Sequence, residues 1–125
     1  MANILIVDDS STMRKIISRS LRQAGLPVDE IFEAGDGIEG LGVIASGKTI
    51  NLILSDINMP NMDGITFVKE AKKIAAYKFT PIIMLTTESQ ENKKLEAQAA
   101  GAKAWIVKPF QPGQVLAAVS KLILS

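Results

Sequence analysis

Six residues of this sequence have the types and spacing to hold a cation and an anion together: Asp8, Asp9, Asp56, Thr86, Thr87 and Lys108. Each follows a short apolar run, so in an open parallel sheet they would meet at the carboxyl ends of the strands, where such sheets bind ligands. Three carboxylates brought together repel one another unless a cation or an ammonium lies between them. A hard divalent ion meets that need. Mg²⁺ is the natural choice, because it is usually held by one or two carboxylates together with a phosphate. With three aspartates, one Mg²⁺ and Lys108 the site is formally neutral, and an anionic donor could approach it. Taken singly, each residue has a plainer reading. Asp8 and Asp9 fit a turn or helix start, and Asp56 before Ile57-Asn58-Met59-Pro60 fits turn chemistry. The threonines fit helix caps, and Lys108 fits a solvated surface lysine. Their convergence is what argues for a site.

Composition restricts the chemistry further. The chain has no Cys and no His, so disulfides, thiolate metal sites, cysteine nucleophiles and imidazole bases are excluded. Carboxylates, hydroxyls and lysines must do the work. Lys plus Arg total 14 against 13 Asp plus Glu, which leaves no basic excess for nucleic acid or an anionic membrane. The apolar runs Ile4 to Val7 and Ile82 to Leu85 fall far short of the roughly 20 residues that a membrane span requires. Met1-Ala2-Asn3 has neither the basic region nor the cleavage site of a secretory signal. A cytoplasmic location with no membrane partner is therefore expected.

The elements that must position these residues follow from periodicity. Short β-branched runs alternate with helical patterns, which argues for parallel βα units. Five strands are expected, at Ile4 to Val7, Glu30 to Ala34, Leu52 to Ser55, Pro81 to Leu85 and Ala104 to Val107. The first, third and fourth are continuously apolar, as strands covered on both faces are, and should be central. Met13, Ile16, Ile17, Leu21 and Ala24 form the stripe of a first helix that stops at Gly25, with Pro27 beyond. Asp36 with Glu39, and Asp63 before Gly64, should start the second and third helices. The fourth, Gln90 to Ala100, offers only Leu95 and its alanines as an apolar face. The fifth opens near Pro112 and carries Val115, Leu116, Val119, Leu122 and Ile123 on one side. A single domain over residues 1–125 is expected, with no repeat, linker or separate output domain, so any output must come from its own surface.

The runs Ile4-Leu5-Ile6-Val7-Asp8-Asp9, Asp56-Ile57-Asn58-Met59-Pro60-Asn61-Met62-Asp63-Gly64, Thr86 and Lys108-Pro109-Phe110 resemble bacterial response-regulator receiver domains over essentially the whole chain. Asp8-Asp9-Ser10-Ser11-Thr12-Met13-Arg14 is most similar to the stand-alone chemotaxis regulators of that family. The resemblance implies a flavodoxin-like (βα)5 three-layer sandwich with a five-stranded parallel sheet of order 2-1-3-4-5, an order taken from the resemblance. It implies that Asp56 accepts a phosphoryl group from a sensor histidine kinase, which must be a separate protein because this chain has no His. By the same resemblance, Asp9, Asp56 and the backbone carbonyl of Asn58 bind Mg²⁺, Asp8 acts mainly through metal-bound water, and Lys108 holds a phosphoryl oxygen. Thr86 turns toward the new group, and an aromatic on strand five turns inward behind it. That aromatic is Trp105 here, where Tyr or Phe is usual. Asn58 and Glu88 occupy the positions that tune loss of the phosphoryl group. The output is a population shift of the surface made by helix four, strand five and helix five. That surface would bind a downstream protein, such as a flagellar motor switch, and a monomer is expected. The chain would be a signalling switch that assists its own phosphorylation and dephosphorylation, not a turnover enzyme.

Three rival readings stand beside this one. A phosphorelay intermediate would pass its phosphoryl group to a histidine phosphotransferase. An aspartyl-phosphate enzyme of haloacid-dehalogenase type would place its nucleophile after strand one with a second aspartate two residues on, whereas Asp8 and Asp9 are adjacent here. A flavodoxin-like binder could use Ser10-Ser11-Thr12 as a phosphate loop, but two aspartates beside that loop would repel a nucleotide phosphate.

Overall fold

The computed structural model describes residues 2–87, 90–108 and 111–124. Five strands, β1 (Ala2–Val7), β2 (Val28–Ala34), β3 (Leu52–Ser55), β4 (Ile82–Thr86) and β5 (Ala104–Val107), form one parallel sheet in the order β2-β1-β3-β4-β5. Between and after them run α1 (Ser11–Gln23), α2 (Gly37–Ala45), α3 (Gly64–Lys72), α4 (Glu91–Ala100) and α5 (Pro112–Ile123). Among the described residues no helix is long and apolar enough to cross a membrane.

Period-two alternation along the strands divides the core into two layers. Leu5, Val7, Ile53, Ile82 and Met84 pack with Ile44 of α2, Phe67 and Val68 of α3 and Ala97 of α4. Ile4, Ile6, Leu52, Leu54, Ile83 and Leu85 pack with Ile17 and Leu21 of α1 and with Val115 and Val119 of α5. Helices on both faces explain why Ile4 to Val7, Leu52 to Leu54 and Ile82 to Leu85 are continuously apolar. They also leave the carboxyl edge of the sheet as the place where loops from opposite layers meet.

Several boundaries and faces differ from the sequence reading. β1 and β2 begin two residues earlier than expected: Ala2 pairs with Val28 across a register shift, and the Asn3 side chain bridges the irregularity. Its Oδ1 accepts from the Glu30 N–H at 3.1 Å, and its Nδ2 donates to the Thr49 carbonyl at 2.9 Å. β4 starts after Pro81 and ends on Thr86, so Thr86 is the strand's last residue and is wholly buried. Ile16 is 48% exposed, since it lies about 100° around the helix from Ile17 and outside the Met13-Ile17-Leu21 line. Ala24 follows the last turn of α1 as its C-cap and is exposed. Leu95 is 55% exposed, and the buried residue of α4 is Ala97, whose small side chain lets the helix lie close to the sheet.

Candidate functional site

The loop after β1 carries Asp8 and Asp9, and all four polar atoms of Asp8 are engaged. Its N–H donates to the Ala34 carbonyl at 3.0 Å and its own carbonyl accepts from Arg14 Nη1. Oδ1 accepts from the Ser10 N–H at 2.9 Å, and Oδ2 accepts from Lys108 Nζ at 3.0 Å. Ser10 also caps α1, its hydroxyl accepting from the Met13 N–H at 3.1 Å. Asp8 is therefore buried and fixed, while Asp9 is exposed.

Asp56 follows β3 and is 8% exposed. Its Oδ1 accepts from the Ile57 N–H at 2.7 Å, and its Oδ2 lies 3.3 Å from Lys108 Nζ. One ligand oxygen from each of Asp8, Asp9 and Asp56 can be chosen so that all lie within 4.8 Å of one another. The donors are all oxygen and all carboxylate, which suits a hard divalent ion. Lys108 reaches in from the end of β5, held there by its own N–H bond to the Thr86 carbonyl at 2.7 Å. Burial pushes the Lys108 ammonium pKa down, but the hydrogen bond to Asp8 and the charges of Asp56 and Asp8 outweigh it and hold the pKa above the ordinary lysine value. The amine stays protonated between two carboxylates.

The loop from Asp56 to Asp63 is tied down beyond Asp56. Asp63 caps α3, its Oδ1 accepting from the N–H groups of Ile65 at 2.9 Å and Thr66 at 3.0 Å. Burial raises the pKa of Asp63, yet these bonds and one from the Thr66 hydroxyl leave it below the ordinary carboxylate value. Asn61 adopts the left-handed conformation, with φ of 67°, and donates from Nδ2 to Asp36 Oδ2 at 2.7 Å. Asp36 in turn caps α2 by accepting from the Glu39 N–H at 2.8 Å. The bonds from Glu39 and Asn61 hold its carboxyl below the usual range. The expected capping pair is thus present, with one difference: Glu39 reaches back to the Gly35 N–H instead of that of Asp36.

Gly64 was legible only as the residue after a cap. A Cβ there would sit 2.0 Å from the Asp56 carbonyl oxygen and 2.8 Å from the Ile57 Cα, so α3 begins in direct contact with the backbone of Asp56. Asn61 and Arg14 were likewise present in the motifs without a role. Asn61 carries a signal of its own, because Asn is among the few side chains that enter the left-handed region readily. Gly64 meets the start of its own loop, and Arg14 joins Asp8 in the loop before α1 to Glu33 on β2.

Of the other expected site residues, Asn58 is exposed in the loop two positions after Asp56, and Thr87 is exposed after β4. Trp105 stands opposite Met84 in the β4/β5 register and is partly buried against the α2, α3 and α4 layer. Met84 and Thr86 are two residues apart on one strand face, so Trp105 lies on the same face as Thr86. Glu88, Pro109 and Phe110 lie outside the described residues.

Comparison with known proteins agrees with this geometry. The response regulator receiver domain family matches residues 4–120. A chemotaxis protein CheY homolog of Campylobacter jejuni is 41% identical over 113 residues, covering 90% of this chain and 85% of the relative. The structure of CheY4 from Vibrio cholerae superposes with a TM-score of 0.88 at 44% identity, covering 98% of this chain and 99% of that one. CheY in a CheX-CheY-BeF3-Mg²⁺ complex from Borrelia burgdorferi superposes with a TM-score of 0.87 at 30% identity, covering 99% of this chain and 90% of that one.

Proposed function

The chain belongs to the response-regulator receiver family of two-component signalling, and we propose that it is a chemotaxis-type switch whose phosphoacceptor is Asp56. The observation that carries this reading is the single cluster in which the carboxylates of Asp8, Asp9 and Asp56 converge and Lys108 Nζ bonds two of them. In the proposed reaction a carboxylate oxygen of Asp56 bonds to phosphorus as the bond from phosphorus to the donor's imidazole nitrogen breaks. The donor is a sensor histidine kinase, since this chain has no His. The Ile57 N–H holds one oxygen of Asp56 and so fixes the plane of the carboxylate. Lys108 stands ready to exchange its bond to Asp56 for one to a phosphoryl oxygen, and the loose transition state asks for little beyond such positioning and charge neutralisation. Asp8, Asp9, Asp56 and the Asn58 carbonyl are the residues that would hold Mg²⁺, whose role when bound is to neutralise charge on the carboxylates and the transferring group.

The output reading rests on Thr86 and Trp105. Both lie on one face of neighbouring strands, and the Thr86 carbonyl accepts from the Lys108 N–H. A shift of Thr86 toward a phosphoryl group would therefore be felt at β5 and α4. Leu95 and Val107 are exposed apolar residues on those two elements, which suits a surface for a downstream protein. Asn58 and Glu88 are proposed to set how quickly the phosphoryl group is lost.

The test is incubation with acetyl phosphate, with and without Mg²⁺, read by intact mass. Wild type gains one phosphoryl group only when Mg²⁺ is present, and Asp56→Asn gains none. Equal labelling of the variant would remove Asp56 from its role.

A further inference from the structure

We propose that Arg14 is a positioning residue for the divalent-ion site, a strut that fixes the Asp8 backbone against Glu33 of β2. The proposal rests on the reading of Asp8, Asp9 and Asp56 as that site. Arg14 lies in the first turns of α1, where an arginine would ordinarily extend into solvent, yet its side chain is only 17% exposed. Nη1 donates to the Asp8 carbonyl and Nε donates to Glu33 Oε1 at 2.9 Å. The planar guanidinium spans both acceptors from one rigid group, which a lysine ammonium does not reproduce. Glu33 lies one residue before Ala34, whose carbonyl takes the Asp8 N–H at 3.0 Å. Asp8 is thus gripped on its N–H and its carbonyl by the same short stretch of β2, the second grip passing through Arg14.

The arrangement matters most when Lys108 moves. In this state Lys108 holds Asp8 Oδ2 at 3.0 Å. Once Lys108 turns to a phosphoryl oxygen, the Asp8 carboxylate keeps the Ser10 N–H, and its backbone depends on Ala34 and Arg14. The sign of the effect separates a strut from a simple charge. A cation beside an Mg²⁺ site repels the ion, so as a charge alone Arg14 would weaken Mg²⁺ binding and its removal would tighten it. As a strut its removal weakens binding.

The experiment is calorimetric titration of Mg²⁺ into wild type, Arg14→Lys, Arg14→Met, Glu33→Gln and the Arg14→Met/Glu33→Gln double variant, with thermal melts without Mg²⁺ to verify folding. Arg14→Lys keeps the charge and loses the fork, and both Arg14 variants are expected to raise the Mg²⁺ dissociation constant about tenfold, the lower end of effects seen when groups supporting metal ligands are removed. The double variant should bind no more weakly than Arg14→Met, because Glu33 acts through Arg14. Tighter or unchanged binding in Arg14→Met overturns the proposal, as does a further loss in the double variant, which would show Glu33 acting as a charge. Should Arg14→Met fail to fold, Arg14→Lys and Glu33→Gln decide, and wild-type affinity in both overturns the strut. Wild type that binds no Mg²⁺ overturns the ion site and the strut together, whereas wild-type binding with unaltered variants overturns the strut alone.

Discussion

Helices α3 and α4 pack on the same face of the sheet and are held very differently. α3 buries Gly64, Ile65, Phe67, Val68 and Ala71, whereas α4 buries only Ala97. α3 is capped by an aspartate that accepts two backbone N–H bonds, while the cap position of α4 is Gln90, outside the residue types that cap well. The first residue of α3 touches the backbone of Asp56. The difference matches their proposed roles. The end that receives a phosphoryl group must keep three carboxylates and an amine in register. The element that reports it need only be loose enough for a few kcal/mol to redistribute its conformations.

Gly64 and Gly101 separate the two helices most strongly. Gly64→Ala places a methyl 2.0 Å from a backbone oxygen, and a loss of more than about 3 kcal/mol is expected, or a displaced Asp56 loop with greatly slowed phosphorylation. Gly101→Ala at the end of α4, with φ of 118°, should cost only about 1 to 2 kcal/mol and leave the phosphorylation rate unchanged. Urea unfolding and acetyl phosphate labelling measure both. Similar behaviour of the two variants would erase the distinction.

The side chains give a related contrast. Phe67 is wholly buried, and Phe67→Ala should cost about 3 to 5 kcal/mol. Leu95 is 55% exposed, and Leu95→Ala should stay within about 0.5 kcal/mol. A loss above about 2 kcal/mol at Leu95 would place α4 in the core after all.

Capping gives a smaller contrast between the two helices. Asp63→Ala should cost about 1 to 2 kcal/mol, while Gln90→Asp should stabilise the protein by about 0.5 kcal/mol and shrink the response of α4 to phosphorylation. The Asp63 contribution depends on acid. Its folded-state pKa lies below the ordinary 3.8, so its stabilisation is complete above the unfolded value and fades as pH falls through the folded one. Melts between pH 5 and about 2 should therefore fall less steeply for Asp63→Asn than for wild type.

The sequence displays most of this architecture for a physical reason. Strands covered on both faces must be apolar throughout, so Ile4 to Val7, Leu52 to Leu54 and Ile82 to Leu85 announce the central sheet, and the residues following them announce the site. Asp8, Asp56 and Lys108 meet as their placement at strand ends implies. What was hidden depends on how loops and helices close back on one another in three dimensions. Of the face expected for α4, Leu95 with the alanines, Ala97 is buried and Leu95 is 55% exposed. Nothing local to Gly64 tells of the Asp56 oxygen beside it, and nothing local to Arg14 tells that its guanidinium spans Asp8 and Glu33.

Hydrogen exchange of wild type and Asp56→Asn, each with and without Mg²⁺ and beryllofluoride, tests the central claim most directly. The account predicts that in wild type the amides of α4 and β5 change their exchange on adding both reagents while those of α3 do not, and that Asp56→Asn shows no change anywhere. An equal change in Asp56→Asn, or a response in α3 as large as that in α4, would contradict it.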